Sequence, residues 1–270
     1  MHLLVRRGIV RFGLLGVTSR RAGLSTTSKM AKKSARALAA AEASRTPPPE
    51  PPSRVSVNDL SAKSCLTCGR VITPRAKWAS DWGSIKYCSD RCRSSRPGKL
   101  VARFSQAEKH AALAKYDGSK VKGDEMHVDV ELWVESVLLD VAARKKEATL
   151  DDVQQQILVL LKEAEALQES DLEQRKAGSG GQDAEEATGT EDERRHPLWK
   201  ALDSAPGLRE RTRRAARRLA LGITHDSDPA QTAITTTESG RIELLQAGKT
   251  LRTVENLSFA KGTLTVRRKS

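Results

Sequence analysis

Cys65-Leu66-Thr67-Cys68-Gly69-Arg70 and Lys86-Tyr87-Cys88-Ser89-Asp90-Arg91-Cys92-Arg93 together hold every cysteine of the chain. The first pair is spaced C-x2-C and the second C-x3-C, with nineteen residues between Cys68 and Cys88. Tetrahedral zinc asks for such spacing: a tight knuckle aims two thiolates from one turn, and a helix start supplies the other two. Tyr87 is expected to end a strand, Ser89 to cap the helix, and Gly69 to take the positive φ that the turn needs. Two disulfides or four plain thiols are the alternative. Disulfides suit a secreted chain, and no secretory signal is evident. Four thiolates leave no open coordination position, so one Zn2+ held by Cys65, Cys68, Cys88 and Cys92 reads as structural. For so small a unit the metal supplies much of the folding free energy.

Outward from this cluster, composition limits the rest. The 270 residues carry 47 Lys and Arg against 34 Asp and Glu, a net charge of +13. Hydrophobic residues make up 38% and aromatics 3%, too few for one large core, so small folded units joined by disordered segments are expected. No apolar run approaches the roughly 18 residues of a membrane span, which argues against an integral membrane protein. An isoelectric point near 9.8 points to polyanionic partners.

Residues 1–41 hold nine basic and no acidic groups, with Ser, Thr and the apolar opening MHLLVRRGIVRFGLLGV. That is the make-up of a mitochondrial presequence. If translation starts at Met30, a nuclear or cytosolic location follows instead. Residues 42–62 form a Pro-rich linker around TPPPEPPS, 63–96 the cysteine unit, and 97–128 a poorly ordered connector with a short helix near 105–115. Val134, Val137, Leu138 and Val141 mark a helix over 130–145. A second begins at Thr149 with Asp151 and Asp152 in its first turn. An acidic, Gly-rich insertion occupies about 169–195. A short helix follows at His196-Pro197-Leu198-Trp199, then a third long helix from Pro206 to about Gly222. Two strands are expected at Arg241–Gln246 and Gly262–Arg268.

The signature C-x-x-C-G-R, a middle with Trp78 and Trp82, then K-Y-C-S-D-R-C-R resembles a family of short, uncharacterised zinc-ribbon-like proteins. It is also similar to the wider treble-clef group, related to MYND, FCS and TRASH fingers. The resemblance covers about 63–96 and implies a protein- or nucleic-acid-binding finger without catalysis. The C-terminal part is similar to an uncharacterised winged-helix-like family. Trp199, Arg213, Ala216, Leu219, Ala220 and Gly222 carry that likeness, with Arg241 to Gly248 and Ala260 to Arg267. The implied fold class is α+β: a small four-cysteine treble-clef-like zinc finger plus a winged helix of three helices and a β-hairpin wing over 129–270.

On a helical wheel Leu208, Thr212, Ala215, Ala216 and Leu219 share one stripe of the third helix. Arg211, Arg213, Arg214, Arg217 and Arg218 cover the opposite side, with Arg209 at its margin. Six arginines against Glu210 exceed what a solubilising face needs. These arginines, with Lys261, Arg267 and Arg268, are expected to contact the phosphates of DNA or RNA. Residues 63–103 add ten basic groups against two acidic ones, whereas 131–169 carry four against nine. The five histidines are scattered, no catalytic motif occurs, and neither an enzymatic role nor a small-molecule substrate is expected. The reading is a zinc-containing nucleic-acid-binding or ribonucleoprotein-associated protein. The alternative is an adapter whose finger and winged helix dock partner proteins.

Overall fold

Ala102, Phe104, Met126 and Val128 alternate with polar neighbours, and in a computed structural model of the chain they line the inner face of a sheet. The structure describes residues 56–178, 195–224 and 234–269, all within one unit that runs from Arg54 to Ser270. The leader 1–41 and most of the acidic insertion lie outside the described residues. The expectation of a poorly ordered connector over 97–128 is corrected. This stretch forms strands β3 (Val101–Ser105), β4 (Ser119–Lys122) and β5 (Glu125–Asp129), with a single helical turn, α2 (Ala111–Ala114), between β3 and β4. The order is β3-β5-β4, all antiparallel. Abundant Lys and Glu hid a period-two pattern whose apolar half is buried in the main core.

Asp129 ends β5 and caps the next helix, accepting from the N–H groups of Glu131 and Leu132 at 3.1 and 3.2 Å. That helix, α3 (Val130–Arg144), buries Val130, Trp133, Val134, Val137 and Leu138 completely. A two-residue strand β6 (Ala148–Thr149) leads into α4 (Leu150–Gly178). Thr149 and Asp152 cap α4 reciprocally, each backbone N–H donating to the other's side chain. Helix α4 runs nine residues past the expected break at 169, because the acidic stretch begins on good helix formers. Helices α5 (Pro197–Asp203) and α6 (Leu208–Leu221) follow. Helix α6 starts two residues after Pro206, with Gly207 at its N-cap. It ends where Gly222 takes φ +70° and the Ile223 N–H reaches back to Arg218 O at 3.0 Å.

The two C-terminal strands are β7 (Ile242–Gln246) and β9 (Leu264–Arg268). They pair antiparallel with Leu244 opposite Val266. A short strand β8 (Lys249–Thr250) and a helix α7 (Val254–Phe259), which periodicity did not announce, intervene in the chain. The second sheet has the order β6-β9-β7-β8. Helix α6 packs against α3, α4 and β7, and Ala215, Ala216, Leu219 and Ala220 are buried there as expected.

His196 caps α5: its Nδ1 accepts from the Leu198 N–H at 3.2 Å. Its ring lies 4.5 Å from Phe104 and 5.1 Å from His110. Burial first, then the neighbouring His110, push its pKa down to about 4. The unfolded chain takes up this proton near pH 6.5, the folded one only near 4, so acidification through that window favours unfolding. The shift corresponds to about 3 kcal/mol lost by the bottom of the window. His196→Asn keeps an N-cap acceptor and should flatten the slope of stability against pH between 6.5 and 4, read from urea melts. An unchanged slope would place the acid lability elsewhere.

Candidate metal centre

The cysteine unit is assembled from two short pieces. Strands β1 (Lys63–Ser64) and β2 (Val71–Ile72) pair antiparallel and close the loop that carries Cys65 and Cys68. Within it the Cys65 N–H donates to Arg70 O at 2.9 Å and the Gly69 N–H to Cys65 O at 2.8 Å. Helix α1 (Asp90–Ser94) begins at its N-cap Ser89, whose Oγ accepts from the Cys92 N–H at 3.3 Å. Residues 85–87 lead to the second pair without the strand expected at Tyr87, although the Leu66 N–H bonds Lys86 O at 3.1 Å. Thr67 ties the pieces together by donating its hydroxyl to Cys92 O at 2.7 Å. Trp82 fills the space beneath: its Nε1 donates to Ser61 O at 3.1 Å, and Lys63 Nζ donates to its carbonyl at 2.6 Å.

All four Sγ atoms lie within 4.8 Å of one another. Cys68 and Cys88 are 3.6 Å apart and Cys88 and Cys92 3.4 Å. A tetrahedral ion with bonds of about 2.3 Å to sulfur sets its ligands roughly 3.8 Å apart, so the constellation can hold one metal ion. Cys65, Cys68 and Cys92 are buried and Cys88 is the most open. The Cys88 N–H points at Cys65 Sγ at 3.5 Å, an outer-shell donor for a thiolate. Without a cation the sulfurs cannot all ionise. The hydrogen bond with Cys65 first, then that with Cys92 and burial, hold the Cys68 thiol up. Hydrogen bonds from Cys65, Cys68 and Cys88 hold Cys92 down. A bound cation removes this conflict.

The knuckle docks on α6, and that docking corrects the reading of the arginine face. Arg211, Arg214, Arg217 and Arg218 are 1–6% exposed. Arg218 donates to Thr67 O within the knuckle, to Glu135, and to Glu131 at 3.3 Å. Arg217 Nε donates to Cys68 O at 2.6 Å, and its other end pairs with Glu210 at 2.8 Å. Arg214 reaches Ser95 Oγ at 3.1 Å, just past α1. Arg211 turns the other way, to Glu131 and to Ser204 O at 3.2 Å. Burial lifts the Glu135 carboxyl above its ordinary range, against the pull of Arg218. These four arginines are therefore internal fasteners and present nothing to phosphate. The wheel took charge to mean solvent, but both sides of α6 are covered. The acids that answer them, Glu131 and Glu135, sit four residues apart on α3. The acidic bias of 131–169 beside the basic bias of 206–222 was the available signal.

The other sequence-predicted contacts are not gathered into one surface. Arg209 is exposed, and Arg213 is half-buried and donates to Gly262 O at 2.9 Å. Both line a small hollow beside Gly262, next to the exposed Lys261. Arg267 pairs with Glu147 at 3.3 Å and approaches Glu243 at 4.0 Å. Arg268 is exposed in a different cleft.

A family described as an uncharacterised protein conserved in bacteria (DUF2256) matches residues 57–95. Comparison with curated proteins and with solved structures gives no match. The matched segment holds all four cysteines but none of the α6 arginines. It includes Gly69, which takes φ +63° at the point of closest approach: an added Cβ would lie 2.7 Å from Arg217 Cβ. Gly69→Ala is expected to keep one metal per chain but lower the melting temperature by roughly 5–10 °C. Gly83→Ala, where an added Cβ meets nothing within 4 Å, should leave it unchanged. Equal melting of the two variants, measured by calorimetry, would mean that the knuckle does not rest on α6.

Proposed function

We propose that the chain is a zinc-organised, non-enzymatic protein that binds the phosphate backbone of DNA or RNA, free or within a nucleoprotein particle. The surface used is the outer side of the finger and the neighbouring three-stranded sheet. One observation carries this reading. Arg75, Lys77, Arg91, Arg93, Arg96, Lys99 and Arg103 are all exposed, and 63–103 contains only Asp81 and Asp90 as acids. On the sheet, Arg103, His127 and Lys120 stand opposite one another across β3, β5 and β4, so their side chains share a face. Phosphate contacts of this kind position a polyanion without reading its sequence.

The sulfur spacing and the all-thiolate set favour zinc over other metals. A knuckle followed by two ligands at a helix start supports a treble-clef-like finger. The order α3-β6-α4-α5-α6 followed by β7 and β9 supports a winged-helix-like scaffold. In this reading α6 stands where such a scaffold carries its recognition helix, and serves as the dock for the finger instead. The basic, acid-free leader supports mitochondrial import. Among the described residues no helix is long and apolar enough to cross a membrane. The adapter reading has one observation in its favour: Phe259, at the end of α7, is 72% exposed. Helix α7 abuts the finger, where Ser258 Oγ accepts from the Val71 N–H at 2.7 Å.

Salt separates the two readings. Changing Arg91, Lys99 and Arg103 together to Gln should weaken binding to a single-stranded or duplex oligonucleotide. It should also flatten log affinity against log salt by roughly 2–3, about 0.7–0.9 for each lost contact. Binding that ignores both salt and the triple substitution would contradict the nucleic-acid reading and favour the adapter. A fusion of residues 1–41 to a fluorescent reporter should collect in mitochondria, whereas diffuse or nuclear signal would refute import.

A further inference from the structure

A cleft of about 520 Å³ opens on another part of the molecule, between the segment Lys115–Asp117, the outer side of α3 and the ends of β7 and β9. Its volume falls in the range of small-ligand sites, roughly 300–1,000 Å³. Five cations line it: Lys115, Arg144, Arg241, Arg268 and Lys269. Two carboxylates share it, Asp117 and Asp140. Asp140 is already neutralised. Arg144 Nε donates to its Oδ1 at 3.1 Å, a second guanidinium nitrogen donates to Oδ2, and the Tyr116 hydroxyl donates to Oδ2 at 3.1 Å. Lys269 is fixed in place by donating to the carbonyls of Thr237 and Glu238. Arg241 and Arg268 form no ion pair among the described residues, unlike Arg267 beside them. Arg241 does feel the charge of Glu135, but Arg218 already holds that carboxylate.

Arg241 and Arg268 lie at the same end of the sheet, and both line the cleft. Arg241 immediately precedes Ile242, which pairs with Arg268, and the Lys269 N–H donates to Arg241 O at 3.2 Å. Three cations therefore lie at the joined ends of two strands, and Lys115 lines the same cleft from the segment before β4. Of the cleft's lining, only Asp117 remains to offset them. Basic groups that share one cleft make a positive potential there, which draws anions in. Planar guanidiniums bind phosphate oxygens two at a time, so adjacent phosphates on one ligand suit this lining.

The geometry points to a binding site for a polyphosphate-bearing ligand, held by Arg241 and Arg268 with Lys115 and Lys269 at its edges. The same chemistry is offered by the phosphate tail of a nucleoside triphosphate and by successive phosphates of a nucleic-acid strand. The site shares no residue with the finger surface proposed above, so either proposal can fail alone.

The test uses the full chain and inorganic tripolyphosphate, titrated by calorimetry at low salt. Binding is expected, and Arg241→Gln with Arg268→Gln should weaken it by roughly tenfold or more, since both charge-assisted hydrogen-bond donors are lost. The Arg91, Lys99 and Arg103 triple variant should bind tripolyphosphate as the parent does. Lys115→Gln, outside either strand, gives the same reading should the double variant melt early. Displacement at lower phosphate concentration by a nucleoside triphosphate assigns the small ligand, and by a single-stranded oligonucleotide the strand. Either displacement supports the site. No heat with tripolyphosphate, or equal affinity in parent, double and Lys115 variants, would overturn it.

Discussion

Arg218 is surrounded by protein and has to be satisfied there. Its guanidinium meets Glu135, Glu131 and the Thr67 carbonyl, while Arg217 beside it meets the Cys68 carbonyl. A buried charge without partners costs several kcal/mol, and removing one member of a buried pair typically costs about 3–5 kcal/mol. Two consecutive helical arginines thus demand that the backbone of the metal knuckle be present and correctly turned. The knuckle carries Cys65 and Cys68, two of the four cysteines whose Sγ atoms lie within 4.8 Å of one another and could hold a metal ion. Knuckle, α6 and α3 form one chain of dependence, although the knuckle and α6 lie far apart in sequence, with Arg218 and Thr67 separated by 151 positions.

That dependence changes the part α6 plays. A helix with six arginines and one acid invites comparison with nucleic-acid readers, and its place among the helices encourages it. Here Arg211 and Arg218 are taken up by carboxylates from α3, Arg217 and Arg218 by carbonyls of the knuckle, and Arg214 by the Ser95 hydroxyl. Exposed basic groups lie instead on the cysteine unit, on the outer face of the β3-β5-β4 sheet and in the cleft around Arg241 and Arg268. Leu66 links the same parts by apolar contact, since it leaves the knuckle and joins the main core. The finger is accordingly a wall of the domain and not a bead on a tether.

Much of this was legible from residues alone. The cysteine spacing, the Ser89 cap, the positive φ of Gly69, both helix starts at 130 and 149, and the Gly222 terminus each rest on local chemistry, and local chemistry is what a sequence displays directly. Residues 97–128 were misread because their strands carry alternate apolar residues among many lysines, so average polarity masked a period of two. Helix α7 was hidden for a similar reason: it is six residues long, too short for its period to register. The arginine face failed for a different reason. Whether a charged side chain meets water or a buried acid depends on what packs there. Glu131 and Glu135 come from a helix far earlier in the chain, 87 and 83 positions before Arg218, which no helical wheel of α6 contains.

The contacts of Arg217 and Arg218 join the cysteine knuckle and α6 into one cooperative unit. Hydrogen exchange of the α6 backbone amides, Leu208 to Leu221, measured before and after metal removal by a chelator, tests it most directly. The account predicts that chelation removes most of the protection across α6 and around Glu131 and Glu135 on α3. Protection lost only in residues 63–96, with α6 unchanged, would contradict it and make the finger an independent module.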